Sequence, residues 1–218
     1  MTAYLDVAAL VVGAYLLGGV PFGLLVARAR GVDIRQAGSG NVGATNVGRV
    51  LGRRWGVLVF LLDTGKGAIS TVVAGLLIAR HADLAPTQRD LVWVAAGAAC
   101  VIGSIAPVWL QFRGGKGVAA SFGALVGIYP FLTWSALGAL LVWWLVVKST
   151  RYVSLASMVA ACSLPVWFAG LSKWLNWGLD NHYPLLGLCV LLALVVLIRH
   201  RENIARLSRG AENKLGRG

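Results

Sequence analysis

What most constrains this chain is the segregation of its charge: long apolar runs carry almost none, and the connections between them carry nearly all. The runs lie near residues 4–27, 55–79, 90–110, 117–129, 131–147, 153–171 and 184–198. A membrane-spanning helix uses about 20 apolar residues plus a connection. The 218 residues therefore hold at most about seven or eight crossings and leave no room for a large extramembrane domain. Only 13% of the residues are charged, against roughly 25% in an ordinary soluble domain, so the water-soluble class is excluded. Residues 1–218 read as a single all-α integral membrane domain.

The run 117–129 is short, since about 13 residues at 1.5 Å per residue reach roughly 20 Å of a hydrocarbon core about 30 Å thick. Charge parity decides whether it crosses. With the N-terminus outside and every run crossing, the inner segments collect Arg28, Arg30, Arg35, Arg49, Arg53, Arg54, Arg113, Lys116, Lys148, Arg151 and the tail, sixteen of the twenty basic residues. The outer loops keep Arg80, Arg89 and Lys173 beside Asp6, Asp83, Asp90 and Asp180. Merging 117–147 into one crossing would send Lys148, Arg151 and the basic tail to the outer face, against the positive-inside rule. The expectation is a seven-transmembrane-helix bundle, N-terminus outside and C-terminus cytoplasmic, with a fourth helix whose apolar path is shortened by its neighbours. The net charge of +12 then records topology and requires no nucleic-acid partner.

No basic segment precedes the first run, which should stay as a helix rather than be cleaved. Gly123 with Gly127, and Gly97 with Cys100 and Gly103, predict close helix approach. Trp93, Trp109, Trp134, Trp174 and Trp177 stand near run ends, as interfacial anchors do. Cys100, Cys162 and Cys189 lie in apolar runs without metal-ligand spacing, so they are expected to pack as small hydrophobes, with no metal and no cofactor.

Four segments combine glycine, small polar groups and cations, and the predicted topology puts all four on the inner face. Gly38–Arg49, GSGNVGATNVGR, is rich in Gly, Asn, Ser and Thr, and reads as a loop that turns backbone N–H groups into an anion nest beside Arg49. GGKG, Gly114–Gly117, directly precedes a helix, where free N–H groups, the helix dipole and Lys116 could act on one phosphate. Arg151–Ser154 is a short connection with a hydroxyl. RHRENI, Arg199–Ile204, places His200 and Asn203 on one helix face. Each has a blander reading: an irregular connection, a helix start with a topogenic lysine, a basic stop-transfer cluster. Their convergence on one face argues against all of them being bland.

Three other patterns fail. Gly38, Gly40 and Gly43 satisfy GxGxxG with Asp63 downstream, but no strand precedes the loop and Asp63 lies in a membrane run. Neither GKG is a nucleotide-binding loop, because Gly67 and Gly117 stand where Ser or Thr should hold magnesium. None of His81, His182 and His200 has an Asp after four intervening residues, so a paired base and orienter at that spacing is missing. Asp63 and Lys66, three apart within DTGKG, each cost about 2.5 to 3.5 kcal/mol in a membrane run; mutual neutralisation and a role in substrate binding both fit.

SGNVGATNVGR at Ser39, DTGKG at Asp63, GGKGVA at Gly114 and RHRENI at Arg199, in that order on a membrane chain, resemble the bacterial acyl-phosphate-dependent glycerol-3-phosphate acyltransferases. The resemblance runs from PFG at Pro21 to the tail. It implies a seven-helix enzyme of the bacterial inner membrane with its active site facing the cytoplasm. Such an enzyme transfers a fatty acyl group from acyl phosphate to the 1-position of sn-glycerol 3-phosphate and releases phosphate. Carried over, Ser39, Lys116, His200 and Asn203 are expected to be catalytic. Arg49, Ser154, Gly38, Gly40, Asn41, Thr45, Asn46, Gly114, Gly115 and Gly117 are expected to bind substrate, with Asp63, Lys66 and Glu202 in secondary or structural roles. Ala120 departs from the pattern, since many relatives have Thr there, which removes any essential hydroxyl at that position. An acyl phosphate is already activated, so alignment, with effective molarities of roughly 10⁵ to 10⁸ M, and cations for the developing charge suffice without a protein nucleophile. The alternative from another class is a transporter of anions or lipid phosphates.

Overall fold

The computed structural model describes residues 2–81 and 83–216, and every regular element among them is helical. The helices are α1 (Thr2–Gly18), α2 (Phe22–Ala29), α3 (Ala44–Leu51), α4 (Arg53–Arg80), α5 (Pro86–Ile105), α6 (Val118–Gly127), α7 (Thr133–Thr150), α8 (Val153–Trp174), α9 (Tyr183–Arg199) and α10 (Arg201–Ser208). All seven apolar runs appear as helix, the first as the pair α1 and α2. Among the described residues four stretches are long and apolar enough to cross a membrane: Tyr4–Ala29, Arg53–Arg80, Pro86–Leu110 and Val153–Trp174. A fifth arises if α9 and α10, bent by 57°, count as one broken span. Helix α6, with 10 residues, is shorter, as its run predicts. Arg217, counted with the basic tail, lies outside the described residues.

The chain forms two compact units, one of residues 1–82 and 95–127, the other of 83–94 and 128–218. In the first, α1 stops at Gly18 because Pro21 has no N–H to continue the ladder. Carbonyls freed in apolar surroundings need new donors. The Gly19 carbonyl accepts from Trp109 Nε1 at 2.6 Å and that of Val20 from Lys66 Nζ at 3.1 Å. Small residues then set the packing. A Cβ on Gly67 would strike the Ala120 carbonyl, and one on Gly123 the Thr64 carbonyl, so α4 and α6 touch backbone to backbone. Gly103 meets the Tyr15 carbonyl in the same way. The small residues at 103, 123 and 127 are therefore the close contacts that the sequence predicts.

In the second unit α7 and α8 form a hairpin through Arg151, which takes a left-handed φ of 62° and donates its N–H to the Val147 carbonyl at 2.8 Å. Gly138 leaves room for the Trp167 ring, and Trp143 Nε1 donates to Ser157 Oγ at 3.3 Å. Trp93 and Trp177 do not stand alone as interfacial anchors. Both ring edges meet Phe131, at centroid distances of 6.2 and 5.2 Å. Cys100 and Cys189 are buried as expected, whereas Cys162 is exposed.

Candidate active site

The glycine-rich segment is half loop and half helix. From Ala44 onward it is α3, begun at Gly43, so the reading of 38–49 as one loop is corrected. Asn46 explains the folding of the rest. Its Oδ1 accepts from the Ser39 N–H at 2.8 Å, and its Nδ2 donates to the carbonyls of Ile34, Ala37 and Asn41 at 3.3, 3.0 and 2.9 Å. The side chain is 2% exposed and is used up inside the loop, so its expected contact with substrate becomes a scaffolding role. Gly38 and Gly40, at φ of 61° and 70°, take the left-handed turns that bring the chain around it. Asn41 Oδ1 accepts from Gly43 N–H at 2.8 Å, and Gly40 N–H bonds the Ala37 carbonyl. The N–H groups of Ser39, Gly40 and Gly43 are thus engaged within the loop, which narrows the anion-nest expectation. What the loop offers outward is side chains: Ser39, Thr45 and Arg49 are exposed, the last two one turn apart on α3.

GGKG packs against this loop. A Cβ on Gly115 would lie 3.8 Å from Val42 and 3.9 Å from Asn41 Oδ1, and Arg35 Nη2 donates to the Arg113 carbonyl at 3.4 Å. The amides of Gly114 and Gly115 bond the Ile105 and Ser104 carbonyls at 3.0 and 3.1 Å. The glycine character of Gly114 serves that close return of the chain, since a Cβ there would strike the Ser104 carbonyl. This replaces the expectation that these two amides cradle phosphate. Gly117, at φ 75°, accepts from Ser121 N–H at 2.8 Å and starts α6, so Lys116 sits half-buried immediately before a helix N-terminus, where the dipole favours anions.

The second unit holds the other predicted residues. His200, 3% exposed, lies at the bend between α9 and α10 with Nδ1 2.8 Å from the Val196 carbonyl. A carbonyl only accepts, so Nδ1 carries a proton in this contact. Asn203 Nδ2 and Ser154 Oγ both donate to Glu212 Oε1, at 2.7 and 2.9 Å, and Arg206 Nε donates to Glu212 Oε2 at 2.8 Å. Burial pushes the Glu212 carboxyl up, but these hydrogen bonds and the Arg206 charge outweigh it and hold the group below its ordinary value. Sequence reading missed Glu212. Its only signal is an acid just past Gly210 in an otherwise basic tail. Glu202 is exposed in the first turn of α10, where the dipole favours an acid.

Asp63 and Lys66 pair at 2.7 Å, and Lys66 also caps the break before α2, which accounts for both charges structurally. A second pair escaped the sequence altogether: His182 Nδ1 donates to Asp90 Oδ2 at 2.8 Å, with Asp90 1% exposed.

Among the described residues every regular element is helical, several helices are apolar enough to cross a membrane, and glycine-rich cation-bearing segments lie in one unit and the Ser154–Asn203–Glu212 set in the other, which together define an integral membrane protein class. The model of the family described as Glycerol-3-phosphate acyltransferase matches residues 8–210. A glycerol-3-phosphate acyltransferase of Geotalea daltonii is 46% identical over 94% of this chain and 95% of its own. Crystal structures of PlsY, an integral membrane glycerol 3-phosphate acyltransferase, in glycerol 3-phosphate and lysophosphatidic acid forms, are 38% identical to it. They cover 97% of this chain and 96% of their own, with TM-scores of 0.83 and 0.81. The chain belongs to the glycerol-3-phosphate acyltransferase family, and it is an integral membrane acyltransferase.

Proposed function

We propose that this protein transfers a fatty acyl group from acyl phosphate to the 1-position of sn-glycerol 3-phosphate, giving lysophosphatidic acid and phosphate. The observation that carries this reading is the packing of Asn41 and Val42 of the glycine-rich loop on Gly115, next in sequence to Lys116, which sets two cation-and-glycine segments against each other. The family relationship extends through both units, and a single acyltransferase domain over 1–218 is the reading it supports. We propose further that the chain crosses a bacterial inner membrane seven times, N-terminus outside, with the loop cluster, His200 and the tail toward the cytoplasm. The sixteen basic residues on that side support this orientation.

In this reading Lys116 and Arg49 hold phosphate groups and offset the charge that builds as the glycerol hydroxyl adds to the acyl carbonyl. Collapse of the tetrahedral centre expels phosphate, which is a good leaving group, so no acyl-enzyme is required. The hydroxyl proton passes to a phosphate oxygen of the acceptor itself, and His200 positions the substrate by hydrogen bonding. His200 Nε2 as general base is the competing version. His200→Gln separates them, because glutamine can still hydrogen-bond but cannot take the proton; full activity at every pH rules out the histidine base.

The deciding experiment gives purified protein in detergent palmitoyl phosphate and glycerol 3-phosphate. Stoichiometric phosphate release that requires both is expected, and none from folded protein overturns the reading. Replacing the donor by acyl-CoA or acyl carrier protein tests the choice of acyl phosphate. A transporter is disfavoured because the outer loops carry only Arg80, Arg89 and Lys173 beside four acids.

A further inference from the structure

Residues 28–54 hold six arginines and a single carboxylate, Asp33. Two of the arginines, which the catalytic reading does not use, are placed specifically. Arg30, capping the end of α2, lies with its guanidinium carbon 5.0 Å from the Trp55 ring centroid, and Arg54, in the first turn of α4, lies 5.4 Å from the same centroid. Trp55 is half-buried against the small core of Leu24, Ala27, Ile34, Val47 and Val59. The indole is therefore fixed, and two exposed guanidiniums lie over it. Neither guanidinium has a carboxylate or a side-chain hydrogen-bond partner among the described residues, and α4 has no acid in its first turn. Two cations kept near one ring repel each other, and an anion that approaches the ring relieves both.

The surface next to this pair identifies the anion. Leu25 is 48% exposed, Val57 47% and Leu61 59%. The last two continue along α4 from Arg54, on a helix apolar and long enough to cross a membrane. A soluble phosphate would use the cations and leave this apolar surface without a role, whereas a phospholipid uses both. We propose that Arg30, Trp55 and Arg54 form a binding site for an anionic phospholipid, its phosphodiester against the two guanidiniums and its acyl chains along α4. The site goes beyond the transfer reaction and does not depend on its donor or acceptor.

Native mass spectrometry of the full-length protein in detergent, titrated with phosphatidylglycerol or phosphatidylcholine, tests it. The wild type is expected to retain phosphatidylglycerol about tenfold better, and R30Q or R54Q each to lose about fivefold of that preference, roughly 1 kcal/mol per arginine. R30Q/R54Q should abolish the preference. R80Q, at the far end of α4, should not change it, and R30K/R54K should keep most of it. Equal retention of the two lipids by the wild type overturns the proposal, as does an unchanged preference in R30Q/R54Q. Displacement of phosphatidylglycerol by an equal concentration of inorganic phosphate or of an acidic peptide also overturns it. If R30Q/R54Q does not fold, the wild-type lipid comparison repeated at rising salt decides, because a preference that survives high salt is not made by exposed arginines.

Discussion

His182 precedes the first turn of α9 and His200 follows its last, and the 17 residues between them span about 25 Å at 1.5 Å per residue. At the first end the imidazole donates to a buried Asp90, its ring 4.2 Å from that of Phe131, with Trp93 and Trp177 around Phe131. Acid and base there satisfy each other inside an aromatic cluster. At the second end Nδ1 is turned onto the helix's own Val196 carbonyl, and the neighbouring donors of Asn203, Ser154 and Arg206 converge on Glu212. By geometry alone the Asp90–His182 pair is the better imitation of a catalytic dyad. What distinguishes the ends is the setting of the ring: at one end a buried carboxyl partner closed in by aromatics, at the other a helix carbonyl at the bend between two helices.

The contrast can be broken by substitution. His182→Ala leaves a buried carboxylate without its partner, and should destabilise the protein by about 3 to 5 kcal/mol in detergent unfolding, while the folded fraction keeps its specific activity. Asp90→Asn should cost less, because the remaining imidazole can stay neutral. Equal loss of activity per folded molecule at the two ends would erase the distinction. His200→Ala should lower kcat by about 100-fold through lost positioning in the phosphate-release assay with little change in the unfolding midpoint.

Glu212→Gln sharpens the second end. Replacing charge-assisted hydrogen bonds worth about 1.5 to 3 kcal/mol each by neutral ones should loosen the tail, and trypsin should cut it about tenfold faster, a difference of roughly 1.4 kcal/mol. The smallest effect is on pH. Because the folded Glu212 pKa lies below the ordinary 4.5, its stabilisation is complete above that value and is lost as pH falls through the folded one. Hydrogen exchange at the Leu215 amide, which bonds the Arg151 carbonyl at 2.8 Å, should therefore show protection that weakens in the wild type as pH falls below the ordinary 4.5 and through the lowered folded value, and no such dependence in E212Q.

The two ends also show how far a sequence reading reaches. The apolar runs, the short α6 and the glycine contacts were legible because they depend on neighbours a few residues apart and on the lipid environment. His200 and Asn203 were legible as motif residues. Asn46 was found but misassigned, since nothing in its type reveals that partners at positions 34, 37, 39 and 41 use up its amide. Gly114 and Gly115 read as phosphate glycines, and only the return of the chain onto Ser104 and Ile105 showed that their amides are bonded there and that a Cβ on Gly114 has no room. Glu212 lies 58 residues from Ser154 and Asp90 lies 92 from His182. No periodicity carries information over such separations.

The break at Pro21 carries a consequence for biosynthesis. The Val20 carbonyl accepts locally from the Phe22 N–H at 3.1 Å as well as from Lys66, 46 residues downstream, whereas the indole that serves Gly19 lies 90 residues downstream. At about 5 to 20 residues per second, the first segment waits roughly 5 to 18 seconds at the translocon before Trp109 is made. Until then it holds a polar gap in its backbone, and nascent chains ending before residue 109 should be held by the insertion machinery rather than released into lipid.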